Sequence, residues 1–195
     1  MRELQSRSHT VAMTGDGAND VMALRESDCS VAMAEGSDAA RAVSNVVLLD
    51  SDFANMPRVV REGRRSINNL QRSAALFLVK SIFSGVIAVC FLFFSVAYPF
   101  EPIQFTLINA VTIGIPSFFL ALEPNKERIR GRFITNVLRG SLPGAAAMIG
   151  GVLLLVAVSP LLGLDQRQLS TMAVCQTALA GFLTLVKISL PYNAP

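Results

Sequence analysis

"TGDGAND", Thr14 to Asp20, is the stretch on which the reading of this chain turns. A short apolar run, "HTVAM", leads into it, and the turn itself holds two carboxylates and two glycines. A hard cation such as Mg²⁺ takes oxygen ligands, often one or two carboxylates completed by phosphate and water. Asp16 and Asp20 supply such a pair across the turn. Gly15 and Gly17 are expected to let the backbone approach closely and to take positive φ, exposing N–H groups to an anion. Asn19 adds an amide that can donate to a phosphoryl oxygen. On spacing alone, a purely structural Gly-Asp turn accounts for many such stretches.

Working outward, residues 1 to about 52 read as α/β structure. "HTVAMTGD" is a β-rich run that ends in the turn, and "ANDVMALRES" follows with Val21 and Leu24 at helical spacing. Asn19 or Asp20 suits the start of that helix. "CSVAMA" and "NVVLLD" are two more buried-strand candidates, separated by the short helix "SDAARAV" with Ser37 or Asp38 as its N-cap. Strands alternating with helices imply a parallel sheet, and ligands of such sheets collect at strand ends. Only part of a domain is present on this count, so an open sheet edge is expected.

Residues 53–73 read as a basic helix with Pro57 in its first turn. Arg58, Arg61, Arg65 and Arg72 fall on one stripe, which fits either a solvated face or a stalk running into a membrane. Four apolar segments follow, at about 74–97, 103–122, 140–162 and 169–190. Each is near the length needed to cross hydrocarbon at about 1.5 Å per residue. Arginines crowd before the first segment, and "NKERIRGRF" separates the second from the third, whereas "YPFEP" carries no Lys or Arg. By the positive-inside rule both chain termini and the "NKERIRGRF" loop are expected on the cytoplasmic side of a plasma membrane.

Composition agrees with this division. Only 16% of the residues are charged, against about 25% in ordinary soluble domains. Beyond Glu62 the acidic residues are Glu101, Glu123, Glu127 and Asp165. The net charge of +3 comes largely from arginine clusters beside apolar segments and reads as topology. No aromatic-interleaved basic patch points to nucleic acid. Cys29, Cys90 and Cys175 are far apart and form no CxxC, so neither a disulfide framework nor a zinc site is indicated. "MRELQSRSHTVAM" has no h-region of a signal peptide.

The full string is far less generic than its turn. "TGDGANDVMAL" resembles the hinge motif TGDGxNDxxAL of the P-type ATPases, ATP-driven ion pumps whose phosphorylation domain has the haloacid-dehalogenase fold. The likeness continues through "SVAMAEGSDAARAVSNVVLLDSDF", "INNLQ" and "PIQFTLINAVTIGIPS". It implies a partial, Rossmann-like phosphorylation domain at 1–52, a stalk helix at 53–73 and a bundle of four membrane helices within 74–190. It also implies roles. Asp16 and Asp20 are the Mg²⁺ carboxylates, Asn19 and Asp20 orient the phosphoryl group, and Thr14, Gly15 and Gly17 shape the loop. ATP is the substrate of the complete pump.

The family's nucleophile lies in a DKTGT sequence that does not occur here. The resemblance therefore implies a C-terminal portion of a pump, inactive alone, whose partner is the missing N-terminal portion. Four spans after the hinge resemble the calcium, sodium–potassium, magnesium and proton pump branches, which carry two more. Calcium pumps have a similar "NxxTDG" in the second span; here Asn109 and Thr112 are kept and Ile113 stands for the aspartate. Ser81 and Ser84 replace an asparagine and a glutamate of calcium pumps, and Lys80 falls where the gastric proton pump has a lysine. Lys80, Ser81, Ser84, Asn109 and Thr112 are thus the ion-pathway candidates, with Lys80 either a tethered cation in the path or a snorkelling side chain. Gly114 and Pro116 are expected to unwind the second span. Calcium or another hard cation fits the oxygen donors best. Two other readings are a non-catalytic membrane subunit or regulator with a degenerate phosphate turn, and a membrane-anchored dehalogenase-fold phosphatase.

Overall fold

The computed structural model describes residues 1–93 and 97–190. It divides into two compact units, Met1–Val60 and Arg61–Pro195, with the division falling inside a long helix.

The first unit is a three-stranded parallel sheet with short helices. Strands β1 (Ala12–Gly15), β2 (Cys29–Met33) and β3 (Val46–Leu48) lie in the order β1-β2-β3. Thr14 pairs with Val31, and Val31 in turn with Val46. Helices α2 (Val21–Glu26) and α3 (Asp38–Val43) form the crossovers. Ser37 caps α3, its hydroxyl accepting from the Ala40 N–H at 3.2 Å, as its position before the helix leads one to expect. The core is small: Leu24, Ala32 and Ala40 are buried, with Met13 and Val43 against them. A further short helix, α1 (Arg2–Ser6), precedes the sheet. Arg2 ties it to α2 through Glu26 at 3.0 Å, and this hydrogen bond and charge hold the Glu26 carboxyl below its usual range.

The second unit is helical. Helix α4 runs unbroken over Met56–Phe93, so the expected stalk and first span are one element; residues 94–96 of that expected span lie outside the described residues. The arginine stripe is not uniformly solvated. Arg58 and Arg61 are exposed, but the Arg72 guanidinium sits 2.5 Å from Glu123, with both side chains nearly buried.

The second span comprises α5 (Pro102–Asn109), a π-helical turn over Ala110–Gly114, and α6 (Ile115–Leu122). The expected unwinding at Gly114 and Pro116 does not occur. The helix widens by one π turn, and the Thr112 hydroxyl donates to the Ile108 carbonyl at 2.7 Å. Helix α7 (Phe133–Leu162) begins upstream of the expected Gly140 start, and Gly163 ends it with φ at +62°. Helix α8 (Gln166–Ser189) opens with the Asp165 N–H donating to the Gln168 side chain.

Among the described residues, four helical stretches are long and apolar enough to cross a membrane. Between 22 and 28% of each one's most apolar window is buried, so most of that surface faces outward. Leu92, Phe93, Ile103, Leu107 and Leu161 are among the exposed side chains. Such broad apolar exposure is what a lipid-facing bundle requires. Inside, Phe83, Ile87, Met148, Val152 and Ala173 form one buried cluster, and Leu76, Ile113, Leu120 and Ile188 belong to another.

Candidate functional site

In the first unit, β1 delivers the turn. Thr14 and Gly15 are its last residues, Asp16 is exposed just beyond the strand end, and Ala18–Asp20 form one 3₁₀ turn ahead of α2. Asp20 is half-buried and stands at the N-cap of α2 without capping it; its Oδ2 accepts from the Gly17 N–H at 3.1 Å instead. That bond brings the Asp20 carboxylate back over the turn. Asn19 is exposed beside it.

The glycines serve a different purpose from the expected one. Neither Gly15 nor Gly17 has positive φ; Gly17 is extended at −92°, 158°. A Cβ at Gly15 would lie 2.7 Å from the Asp20 Cβ, so glycine there makes room for a carboxylate. The Gly17 N–H is engaged by Asp20 and not free for an anion. Gly36, which sequence reasoning did not single out, closes the back of the turn. A Cβ there would lie 2.7 Å from the Asp16 carbonyl oxygen, and that oxygen accepts from the Ser37 N–H at 2.7 Å. The loop after β2 thus fixes the Asp16 backbone while its side chain stays exposed.

The residues present fit a hard cation in part. Two carboxylates and an amide oxygen supply oxygen donors, and no cluster of three or more His, Cys, Asp or Glu occurs among the described residues. An octahedral ion such as Mg²⁺ held by one or two carboxylates takes its other ligands from phosphate and water. The turn therefore has the chemistry of part of a metal–phosphate site.

In the second unit, Lys80, Asn109 and Thr112 line one small cavity of about 30 Å³, together with Thr177, Gly181 and Thr184 of α8. Ser81 and Ser84 are not among its lining residues. Their hydroxyls donate along α4 to the Phe77 and Ser81 carbonyls. The cavity brings three of the five pathway candidates together and adds three residues of α8 that sequence reasoning missed. Thr177 and Thr184 are buried polar side chains in an apolar helix, the one signal that marks them in the sequence. No carboxylate lines the cavity. Gly181 keeps it narrow, since a Cβ there would meet the Thr112 methyl at 3.1 Å.

Comparison with known proteins bears on both places. Residues 1–54 match the haloacid dehalogenase-like hydrolase family. Over 96% of its length the chain is 43% identical to the calcium-transporting ATPase CtpE of Mycolicibacterium smegmatis, of which it covers 24%. It is 36% identical over 99% of its length to the probable cation-transporting ATPase exp7 of Streptococcus pneumoniae, covering 26% of that protein. A P-type sodium-transporting ATPase4 of Toxoplasma gondii is 37% identical over 64% of the chain. The chain spans 24% and 26% of the length of the first two of these relatives.

Proposed function

This chain belongs to the cation-transporting P-type ATPases, and from that premise we propose that it supplies the metal-holding half of a phosphoryl-transfer site and one wall of a cation pathway. The observation that carries the reading is the turn itself: Asp16 exposed past the end of β1, and Asp20 folded back over Gly15 by the Gly17 N–H. Phosphoryl transfer is chiefly positioning and charge neutralisation, so fixed carboxylates at a strand end are the groups it needs. Mg²⁺ bound there would neutralise phosphoryl charge. Asp16 and Asp20 would hold it, Asn19 would donate to a phosphoryl oxygen, and Thr14, Gly15 and Gly17 set their positions. The nucleophile would come from a DKTGT-bearing segment, which this chain does not contain.

In the second unit, Lys80, Asn109 and Thr112 would contribute to the path of the transported cation, joined by Thr177 and Thr184. Calcium is the first candidate, because a 43% identical relative is a calcium-transporting ATPase. Ser81 and Ser84 are weaker candidates, since both hydroxyls are spent on their own helix. The arginines before the first span and in the loop after the second support, by the positive-inside rule, a cytoplasmic side for the turn and both chain ends. Residues 191–195, the last part of that assignment, lie outside the described residues.

Phosphorylation from labelled ATP tests this reading. The chain alone should take up no acid-stable, hydroxylamine-sensitive label, whereas the chain joined to a DKTGT-bearing upstream segment of a relative should. Asp16→Asn and Asp20→Asn in the joined protein should each abolish the label. Labelling of an aspartate in the chain alone, or undiminished labelling in both variants, would refute it.

A further inference from the structure

Two cavities of the second unit follow one another along α5 and α8. The inner one, of about 30 Å³, is that of Asn109, Thr112 and Thr177. The outer one, of about 360 Å³, opens between the chain ahead of α5 and the start of α8. Glu101, Gln104, Gln166, Arg167 and Ser170 give it a polar lining. It stands at the end of the second span opposite the arginine-rich loop. From Gln104 to Asn109 the helix rises about 7.5 Å, and from Ser170 to Thr177 about 10.5 Å, so little more than one layer of side chains separates the two spaces.

That layer is aromatic. Phe100, 5% exposed, belongs to the wall of the outer cavity, and Phe83 and Phe105 to that of the inner one. The Phe100 ring stands edge-on to Phe83 at 5.9 Å between centroids and tilted against Phe105 at 4.9 Å. Phe83 and Phe105 are 6.3 Å apart, so each ring meets the other two at a spacing where aromatic pairs attract. On α8, Ala173 is buried between the levels of Ser170 and Thr177, in the same apolar cluster as Phe83 and Phe100. Polar bonds hold the chain around Phe100 in place. Gln104 Nε2 donates to Ser170 Oγ at 3.0 Å, Gln166 Nε2 to the Tyr98 carbonyl at 3.4 Å, and the Glu101 N–H to Gln104 Oε1 at 2.9 Å.

Size divides the labour between the two spaces. A water needs roughly 10–15 Å³ of cavity space. The outer cavity therefore takes an ion with its hydration shell, and the inner one takes an ion stripped of nearly all of it. A constriction built of apolar rings excludes water by dewetting. We propose that the outer cavity is the vestibule through which the transported cation passes, still hydrated, to or from the inner cavity, and that Phe100, closing on Phe83 and Phe105, seals the two apart. That the passing species is a cation rests on the pathway reading above; the seal rests on the rings.

The test uses the 195-residue chain carrying Cys29→Ala, Cys90→Ala and Cys175→Ala, in nanodiscs whose lipid covers the sides of the bundle. The probe is Ag⁺, a thiol-seeking cation that travels through water and not hydrocarbon, and mass spectrometry counts the thiol still free for alkylation after denaturation. Ser170→Cys, in the vestibule, reacts fast with or without Phe100. Thr177→Cys, at a site 2% exposed, reacts slowly, and Phe100→Ala speeds it about tenfold. Phe105→Ala opens the same contact from α5 and does likewise, which keeps the test informative where Phe100→Ala fails to fold. Leu120→Ala, a large-to-small change in the other apolar cluster, leaves the rate unchanged. Thr177→Cys reacting as fast as Ser170→Cys while Phe100 is present overturns the proposal, and so does a slow rate that neither phenylalanine variant raises. Equal acceleration by Leu120→Ala overturns it too, since the effect is then a general loosening of the bundle. Excess calcium or potassium, added to the Phe100→Ala chain, separates the seal from the reading it rests on. Protection of Thr177→Cys supports a cation in the inner cavity, whereas acceleration without protection upholds the seal and tells against the cation reading.

Discussion

Gly15 and Gly17 stand two residues apart in one turn, yet a methyl group meets very different surroundings at each. At Gly15 it would lie 2.7 Å from the Asp20 Cβ; at Gly17 its nearest neighbour is Asp20 Oδ2 at 3.4 Å. Forcing a side chain into filled space costs about 1–3 kcal/mol, and here the atom that must give way belongs to a proposed metal ligand. Gly15→Ala is expected to lower the stability of the first unit by that amount, read by denaturant unfolding, and to reduce labelling of the joined pump. Gly17→Ala should stay within about 0.5 kcal/mol, the usual range for a substitution away from such a feature. Equal costs at the two positions would remove the steric account of the turn. The need for glycine here was legible in the sequence, but its reason was not. Composition suggested positive φ, whereas the real constraint is a carboxylate folded back from Asp20. Gly36 was invisible for a related reason. What it accommodates is the Asp16 carbonyl, brought to it by strand pairing and not by anything local in sequence.

Between elements, the helices of the second unit meet through small residues and a few polar clasps. Gly144 of α7 faces Thr184 of α8, with a Cβ there only 2.5 Å from the threonine methyl, whereas Gly150 has open space around its missing side chain. Gly144→Ala should therefore cost about 1–3 kcal/mol in steric-trap or denaturant unfolding, and Gly150→Ala should be neutral or stabilising. Gly151→Ala is the intermediate case, because the atom it meets is the flexible end of Gln176. Gly140, Gly144, Gly150 and Gly151 in an apolar segment are the kind of small surface on which membrane helices pack, but which glycine touches a neighbour depends on the rotation of each helix, which hydropathy leaves open. The clasp on α4 was less legible still. Asn69 reaches the carbonyls of Ala121 and Glu123, Asn68 those of Asn125 and Glu127, and Arg72 the Glu123 carboxylate. In sequence, Arg72 is simply part of a basic stripe, and only the return of the chain after α6 supplies its carboxylate. A double-mutant cycle on Arg72 and Glu123 should give a coupling of about 0.5–3 kcal/mol, the range for residues sharing a network. A coupling near zero would reduce the pair to a surface contact.

For the whole molecule, the question is how a span cavity without carboxylates can serve a cation pump. Asn109, Thr112, Thr177 and Thr184 give it four neutral polar side chains, Lys80 lines it too, and the remaining lining is largely apolar. Were the Lys80 ammonium directed into this space, a divalent ion would meet oxygen dipoles and one like charge, and in a medium of low dielectric that repulsion is not well screened. Two accounts of Lys80 make different forecasts. As a tethered cation, its Nζ occupies part of the pathway, and Lys80→Ala in a joined pump should raise the apparent affinity for a divalent cation by about tenfold, the equivalent of 1.4 kcal/mol. Lys80→Gln should behave like Lys80→Ala, and Lys80→Arg like the parent, since charge is the operative property. As a snorkelling residue, Lys80 sends its charge to the interface about 12 Å away along the helix, near Arg72. None of the three variants then alters cation dependence, although Lys80→Ala still loses packing by the stem. Lys80 is exposed on the surface as well as lining the cavity, so its stem can serve either course. Cation-stimulated ATP hydrolysis measured across the three variants decides between them, and a shift that tracks charge and not side-chain length is the result the pathway reading requires.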